Sequence, residues 1–310
     1  VLVTGAAGFI GSHLCEALLG AGYRVTGIDA FDGYYSPRLK EENIRACLAH
    51  PRFEMRYGDL LDADLPMMLA GAEAVIHLAA LPGVRASWGP HFDTYLRHNV
   101  ETTQRLLAAA GPSLRKFILA SSSSVYGEAE ELPLQETAPP RPISPYGVTK
   151  LAAEQLVRLY RREGMSGVCL RLFTVYGPRQ RPDMAIARFL RAMLAGESVP
   201  VYGDGSQTRD FTYVTDAVAA CMRALRAETS DEALNVGSGQ RTSLNELLVL
   251  LQEVTGRSLR VDRQAPQRGD AQHTWADIER ARRALDYRPT VSLAEGLALQ
   301  AASLAPGKEQ

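Results

Sequence analysis

Thr4-Gly5-Ala6-Ala7-Gly8-Phe9-Ile10-Gly11 follows the apolar run of residues 1–4 and opens a stretch with helical periodicity. Three glycines at this spacing are a weak signal alone. Placed between a strand and a helix, they form the turn that carries a dinucleotide pyrophosphate. Gly5 permits the tight turn, Gly8 lets the backbone approach the pyrophosphate, and Gly11 lets the helix pack closely on the sheet. The helix start offers free N–H groups and the positive end of its dipole to phosphate. Asp29 ends the next apolar run, 18 residues after Gly11. A carboxylate there accepts hydrogen bonds from ribose hydroxyls and repels a 2′-phosphate, so NAD is expected rather than NADP.

Working outward, the first half alternates short β-rich runs (residues 1–4, 24–29, 53–57, 74–78, 116–120 and 168–173) with helical stretches (11–19, 60–70, 93–110 and 146–163). Nearly continuous apolar strands separated by helices predict an α/β fold with a doubly wound parallel sheet covered on both faces. After about Gly177 the elements shorten and Pro/Gly clusters appear, at Gly177-Pro178, at residues 202–205 and at Gln267-Arg268-Gly269. The expected division is a dinucleotide-binding domain over residues 1–176, also receiving 208–238, and a smaller α/β substrate-binding domain over 177–310. Ser243-Leu244-Asn245-Glu246 is a capping box, which gives Glu246 a structural task. Residues 277–285 and 293–302 read as closing helices, and Tyr287-Arg288-Pro289 as a helix stop.

The 310 residues carry a net charge of −1 and are 46% hydrophobic, so neither nucleic acid nor an acidic membrane surface is indicated as a partner. No apolar stretch is long enough to cross a membrane and no signal peptide is evident. Cys15, Cys47, Cys169 and Cys221 are scattered, without metal-ligand or disulfide-framework spacing. No metal is expected, and the reading is a reduced, soluble, cytoplasmic protein. The chain opens at Val1 inside a strand, and a few native residues are expected to precede it.

Tyr146 and Lys150 stand four residues apart where a helix begins at Ser144-Pro145-Tyr146, and a serine run, Ser121 to Ser124, ends the fifth apolar strand. Residues at this spacing share a helix face, and a cation beside a phenol favours phenolate. Tyr-x-x-x-Lys alone is common on helix surfaces; beside a nicotinamide it becomes a proton-transfer pair for a sugar hydroxyl. Asp59, at the end of the third strand, reads equally as a contact to the adenine edge and as a helix N-cap before Leu60. His77 in Ile76-His77-Leu78-Ala79-Ala80 reads as a hydrogen-bonded core histidine.

Together the glycine motif, His77-Leu78-Ala79-Ala80, Ser124-Val125-Tyr126-Gly127, Tyr146 with Lys150, Arg209-Asp210-Phe211-Thr212-Tyr213-Val214 and Asn235-Val236-Gly237 span most of the chain. They resemble the extended short-chain dehydrogenase/reductases that epimerise or dehydrate nucleotide sugars. The resemblance implies a Rossmann-like fold with bound NAD, and Ser122, Tyr146 and Lys150 as the catalytic group. It places Gly5, Gly8, Phe9, Ile10, Gly11, Asp29, Asp59, Leu60, Leu78, Ala79, Ala80, Asn99, Tyr146 and Lys150 along the cofactor. The implied chemistry is oxidation at C4 of the sugar, rotation of the 4-keto sugar, and return of hydride to the other face. A homodimer through the helices that follow the fourth and fifth strands is implied as well.

Within that family, dehydratases carry Asp-Glu after the catalytic Ser/Thr and decarboxylases a Glu in the second place. Here Ser123 and Ser124 follow Ser122, which disfavours elimination and decarboxylation. The stretches from Leu172 to Met184 and from Leu81 to Trp88 resemble UDP-glucuronate 4-epimerases. For a uronate, Thr174 with Ser123 or Ser124 would donate to the C6 carboxylate, and Arg181, or less readily Arg85, would add charge. Arg209 and Arg188 are expected at the UDP phosphates and Asp270 at the uridine ribose. Arg268 stands one position off the Arg-x-Gly-Asp pattern of UDP-glucose 4-epimerases, which puts it in doubt as a diphosphate ligand. The expected substrate pair is UDP-glucuronate and UDP-galacturonate. A UDP-glucose 4-epimerase, a UDP-glucuronate decarboxylase and a non-catalytic NAD-binding regulator remain as alternatives.

Overall fold

In the computed structural model, which describes residues 1–111, 114–265 and 268–304, seven strands form one parallel sheet in the order β11-β6-β5-β4-β1-β2-β3. The strands are β1 (Leu2–Thr4), β2 (Val25–Asp29), β3 (Phe53–Tyr57), β4 (Ala74–His77), β5 (Lys116–Ser122), β6 (Gly167–Leu172) and β11 (Ala233–Val236). Successive side chains of a strand point to opposite faces, and the core divides accordingly. Val3, Ile76, Ile118 and Leu170 face a layer holding Leu14 and Leu18 of α1 (Phe9–Gly20), Ile44 of α2 (Pro37–Leu48) and Ala217 of α8 (Val214–Arg226). Leu2, Val75, Phe117 and Cys169 face the other layer, with Leu65 and Leu69 of α3 (Leu65–Leu69), Leu106 of α5 (Thr102–Ala109) and Val157 of α6 (Pro145–Arg162). The six early strands fall where the apolar runs predicted them, and the doubly wound sheet is confirmed.

Strand order reverses between β1 and β4, which opens a crevice at the carboxyl ends of these strands. Beyond β6 the chain builds small paired strands. β7 (Thr174–Tyr176) lies parallel to β10 (Phe211–Tyr213), and β8 (Val199–Tyr202) lies parallel to β13 (Val261–Gln264). β9 (Thr208–Arg209) lies antiparallel to β12 (Thr242–Ser243). Helices α7 (Ala185–Ala195), α9 (Leu244–Thr255) and α11 (Leu293–Leu304) pack on one another beside them, and α10 (Glu279–Leu285) sits against β11. The capping box at the start of α9 forms as read: Glu246 N donates to Ser243 Oγ at 3.2 Å and Ser243 N donates to Glu246 Oε2 at 2.7 Å.

Three elements of the first half differ from the sequence reading. The helix expected over 60–70 is only Leu65–Leu69, because the Asp59 carbonyl accepts from both Asp62 and Ala63 and closes a separate turn first. Asp64, not Asp59, caps that helix, accepting from Met67 N at 3.0 Å. The stretch 93–110 is broken into α4 (Phe92–Leu96), a π-type turn at Arg97–Glu101, and α5. Helix α2 was not anticipated: its buried face carries Lys40 and Asn43 beside Ile44 and Cys47, which hides the apolar periodicity.

Candidate active site

A cleft of about 440 Å³ lies over the carboxyl ends of the sheet strands. At one end is the glycine turn. Gly5 adopts φ 68°, and a Cβ placed on Gly11 would collide with the Gly5 carbonyl oxygen. The space Gly11 preserves is therefore within the turn itself, a closer approach than the helix–sheet packing expected for it. Helix α1 begins at Gly8 without any side-chain cap, so its first N–H groups, those of Phe9 and Ile10 among them, face the cleft unpaired. Uncapped N–H groups at the positive end of a helix, beside a turn too tight for side chains, fit a dinucleotide pyrophosphate.

Asp29 closes β2 beside this turn and is 6% exposed. Its carboxylate accepts from Ala7 N at 3.2 Å and Phe31 N at 2.9 Å. Lys40 Nζ donates to it at 3.1 Å and to Asp32 at 2.9 Å. Lys40 was missed in the sequence; its only local signal is a lysine on the buried face of a helix. Because two carboxylates share this one ammonium, the corner keeps a net negative charge, which disfavours a 2′-phosphate. Asp59, Leu60, Leu78, Ala79 and Ala80 line the same cleft. Asp59 Oδ1 accepts from Leu61 N at 2.9 Å, so it braces its own turn while facing the cleft.

Asn99 does not line the cleft. Its amide accepts from Leu81 N at 2.7 Å and donates to Leu81 O at 3.1 Å and Thr149 Oγ1 at 2.9 Å. The side chain expected on the cofactor instead pins the segment after β4, on which Leu78–Leu81 reach the cleft. His77 is 1% exposed, with Nδ1 2.7 Å from Thr4 Oγ1 and Nε2 3.1 Å from Thr103 Oγ1. Burial, with Lys150 nearby, lowers its pKa to about 3, so it is a neutral core histidine.

At the other end of the cleft Ser122, Ser123, Ser124, Tyr146, Lys150, Thr174 and Arg181 converge. Ser122 is the last residue of β5, and Ser124 N donates to its Oγ at 3.1 Å. Ser144 caps α6 by accepting from Gly147 N at 3.1 Å, which fixes the first turn bearing Tyr146. Tyr146 N donates to Ser87 Oγ at 3.1 Å. Lys150 follows one turn later and is 5% exposed. Gly147 lets this turn press on the serine segment: a Cβ there would meet Ser124 O at 2.5 Å.

Burial pushes the Tyr146 phenol above its ordinary pKa, while the Ser122 hydroxyl and then Arg181 pull it back. This corrects the expectation that Lys150 sets the phenol low. Lys150 is itself buried, and its own pKa falls to about 8 despite Glu154.

Arg181 is bidentate on Asp183, with Nε to Oδ1 at 3.0 Å and Nη2 to Oδ2 at 3.1 Å. Tyr34, from the loop after β2, donates to the same carboxylate at 3.3 Å, and the guanidinium lies 5.7 Å from the Tyr34 ring centroid. Sequence reading found Arg181 but neither Tyr34 nor Asp183.

Arg85 is drawn away from the Ser122 end of the cleft. It donates to Asp270 through Nε at 3.1 Å and stacks 4.3 Å from the Tyr202 ring centroid, so the structure separates it from the carboxylate-binding role considered for it. The Arg209 guanidinium donates to Thr208 O at 2.8 Å and feels Asp270 and Arg85, so these three form a second polar group. Arg188 is half-buried on α7. Arg268 lies 3.8 Å over the Trp88 ring, and Gln267 falls outside the described residues.

This fold, with a Ser-Tyr-Lys group facing a nucleotide cradle, is matched by the model of the NAD dependent epimerase/dehydratase family over residues 1–237. The chain belongs to that family. A UDP-glucuronic acid 4-epimerase of Bacillus cereus, solved with UDP-glucuronic acid and NAD, superposes with a TM-score of 0.93 at 44% identity, covering 97% of this chain and 98% of that one. An uncharacterized UDP-glucose epimerase of Bacillus subtilis is 44% identical over 308 residues, 98% of this chain and 97% of its own. A UDP-glucuronate 4-epimerase of Thermodesulfobacterium geofontis is 34% identical over 302 residues, 96% of this chain and 93% of its own.

Proposed function

We propose that this chain is an NAD-dependent C4 epimerase of a UDP-sugar, interconverting UDP-glucuronate and UDP-galacturonate through a transient 4-keto sugar. The observation that carries the reading is the convergence of Ser122, Tyr146 and Lys150 with the hydroxyls of Ser123, Ser124 and Thr174 in one cleft. The Bacillus cereus epimerase, bound to UDP-glucuronic acid and NAD, supports it.

Gly8, Phe9, Ile10 and Gly11 hold the pyrophosphate, Asp29 the adenosine ribose, and Tyr146 with Lys150 the nicotinamide ribose. Bound there, NAD⁺ would supply the acceptor and later donor of the C4 hydride and a positive charge beside the phenol. Tyr146 accepts the C4 hydroxyl proton and gives it back, and Ser122 hydrogen-bonds the same oxygen. Thr174 and the serines hold the C6 carboxylate. A 4-keto uronate is a β-keto acid and loses CO₂ when its C5–C6 bond overlaps the carbonyl π system. Holding the carboxylate near the carbonyl plane prevents that overlap.

Arg209, Arg188 and Asp270 are assigned to the nucleotide half of the substrate. Residues 1–176 with 208–238 then form the NAD-binding unit, and the rest of 177–310 the UDP-sugar unit. Leu96 on α4 and Val148 and Leu159 on α6, 41%, 44% and 54% exposed, are apolar side chains on the two helical segments assigned to a homodimer interface. No helix among the described residues is long and apolar enough to cross a membrane, and a cytoplasmic location is consistent with four buried free cysteines.

The second reading, UDP-glucose 4-epimerase, is favoured by the engagement of Arg181 with Asp183 rather than with an open pocket. Incubation with UDP-glucuronate, UDP-glucose and UDP-galacturonate, with chromatographic separation of products, decides between them. Turnover of UDP-glucose but of neither uronate overturns the uronate assignment.

A further inference from the structure

Two stretches noted in the sequence, Ser124-Val125-Tyr126-Gly127 and Asn235-Val236-Gly237, have Tyr126 and Asn235 buried away from the reacting atoms, at 2% and 0% exposure. Tyr126 Oη donates to Asn235 Oδ1 at 2.7 Å and accepts from Arg171 Nη1 at 2.9 Å. Arg171, the one charged residue of β6, donates through Nε and Nη2 to Glu154 at 3.0 and 2.8 Å. Glu154 Oε1 also accepts from the hydroxyl of Ser121, the neighbour of Ser122 on β5. Glu154 lies one turn beyond Lys150 on α6, as Lys150 lies one turn beyond Tyr146, so the three stack along one helix face. The chain of contacts thus runs from β11 through β6 to the helix and strand that carry the reacting groups.

A fully buried ion pair is a poor stabiliser: an apolar replacement of like volume is often as stable. Its placement points to another task. The titratable groups that act on Lys150 are Glu154 on its own helix and Cys169 from β6, and Lys150 in turn acts on His77 of β4. His77 is neutral, burial keeps the Cys169 thiol protonated, and Arg171 is spent on both oxygens of Glu154. Glu154 is the largest of the charges that favour the ammonium of Lys150 against burial.

We propose that Glu154, clamped by Arg171, is a positioning residue of the active site: through Ser121 it ties the Ser122 end of β5 to the catalytic helix, and it sets a carboxylate one helical turn from Lys150. This rests on the proposed function only in that Lys150 must meet the cofactor as a cation. Tyr126 and Asn235 fix the guanidinium from behind.

The test uses the double variant Glu154→Gln/Arg171→Gln, which leaves neither charge buried alone. The first measurement, free of any sugar, is NAD affinity against pH after removal of co-purified cofactor. In the native protein affinity falls as pH rises through about 8, where Lys150 loses its proton. In the double variant that fall moves to lower pH by about one unit. With UDP-sugar, kcat at pH 8 falls about tenfold while KM stays within about threefold. A folded double variant whose pH profiles superimpose on the native ones overturns the proposal, even if its melting temperature is lower. If the double variant does not fold, Ser121→Ala, which removes one hydroxyl, is expected to lower kcat severalfold at unchanged KM; unchanged kcat overturns the proposal. Failure of the native protein to turn over any UDP-sugar would refute the functional reading and leave the NAD profile to judge this one.

Discussion

Gly147→Ala tests whether the contact between the first turn of α6 and the serine segment sets catalytic geometry. The added Cβ would stand 2.5 Å from Ser124 O and 2.9 Å from Pro142 Cβ, whereas ordinary contact begins at 3.4 Å. The shortfall against the carbonyl is 0.9 Å, and both sides are constrained. Ser124 N is bonded to Ser122 Oγ, and Gly147 N to the cap Ser144. Yielding therefore separates Tyr146 from Ser122. A displacement of about 1 Å at reacting groups costs on the order of 100-fold in rate. The expected result is a kcat about 100-fold lower, with overpacking reducing stability by about 1–3 kcal/mol. NAD affinity should fall far less than kcat, since the glycine turn at the start of α1 and Asp29 are untouched and only the nicotinamide-ribose contacts on α6 shift. The assay is kcat with UDP-glucuronate beside calorimetric NAD binding. A kcat within threefold of native, in a folded protein, would refute the reasoning, because the turn would then tolerate the displacement the geometry forbids.

Tyr146→Phe should lower kcat by about 10²–10⁴-fold with NAD binding retained; a smaller loss assigns the proton transfer elsewhere. Thr174→Ala should raise the UDP-4-keto-pentose by-product relative to epimer, measured by chromatography, and an unchanged ratio removes Thr174 from carboxylate control. His77 has a folded pKa lowered to about 3 by burial and Lys150, so between there and about 6.5 only the unfolded chain takes its proton. Stability is therefore lost as pH falls through that window, by about 2 kcal/mol between pH 7 and pH 5. Urea unfolding of His77→Gln against native protein at the two pH values should show the slope flattened by that amount; equal slopes would mean that His77 ionises when folded.

Local signals carried most of the fold. The glycine turn, the strand runs and the helix start at Ser144-Pro145-Tyr146 are each decided within a few residues, and the structure places them where they were read. The elements that failed did so for physical reasons visible in their neighbours. Lys40 and Asn43 interrupt the apolar stripe of α2 because they serve Asp29 and the Ala7 carbonyl. The break at Arg97–Glu101 coincides with Asn99, whose amide is spent on Leu81. Pairings across the molecule were out of reach: Tyr34 meets Asp183 149 positions away, and Arg85 meets Asp270 185 positions away. Arg171 did carry a local signal. A charged residue inside an otherwise apolar, doubly covered strand must be paired, and Glu154, four residues after Lys150, was the available carboxylate.

Chemistry and specificity sit on different parts of the chain. Ser122, Tyr146 and Lys150 belong to β5 and α6, whereas Thr174 opens β7 and Arg181 lies in the segment before α7. Arg181 reaches the cleft already matched by Asp183, so an incoming carboxylate gains little from it unless Asp183 is released to water. That release is inexpensive in part, since the Asp183 side chain is already 44% exposed, whereas that of Arg181 is only 21% exposed. The Tyr34 hydroxyl opposes it by donating to the same carboxylate from the loop after β2, beside the cofactor cradle. Hydroxyl donors require no such exchange, but they serve a C6 hydroxyl as readily as a carboxylate, because a hydroxyl both donates and accepts. Strong preference for a uronate therefore depends on whether the substrate can take Arg181 from Asp183. On the proposed reading, the segment from Thr174 to Asp183 would govern which sugar is oxidised, and the Tyr146–Lys150 pair only that its C4 hydroxyl is.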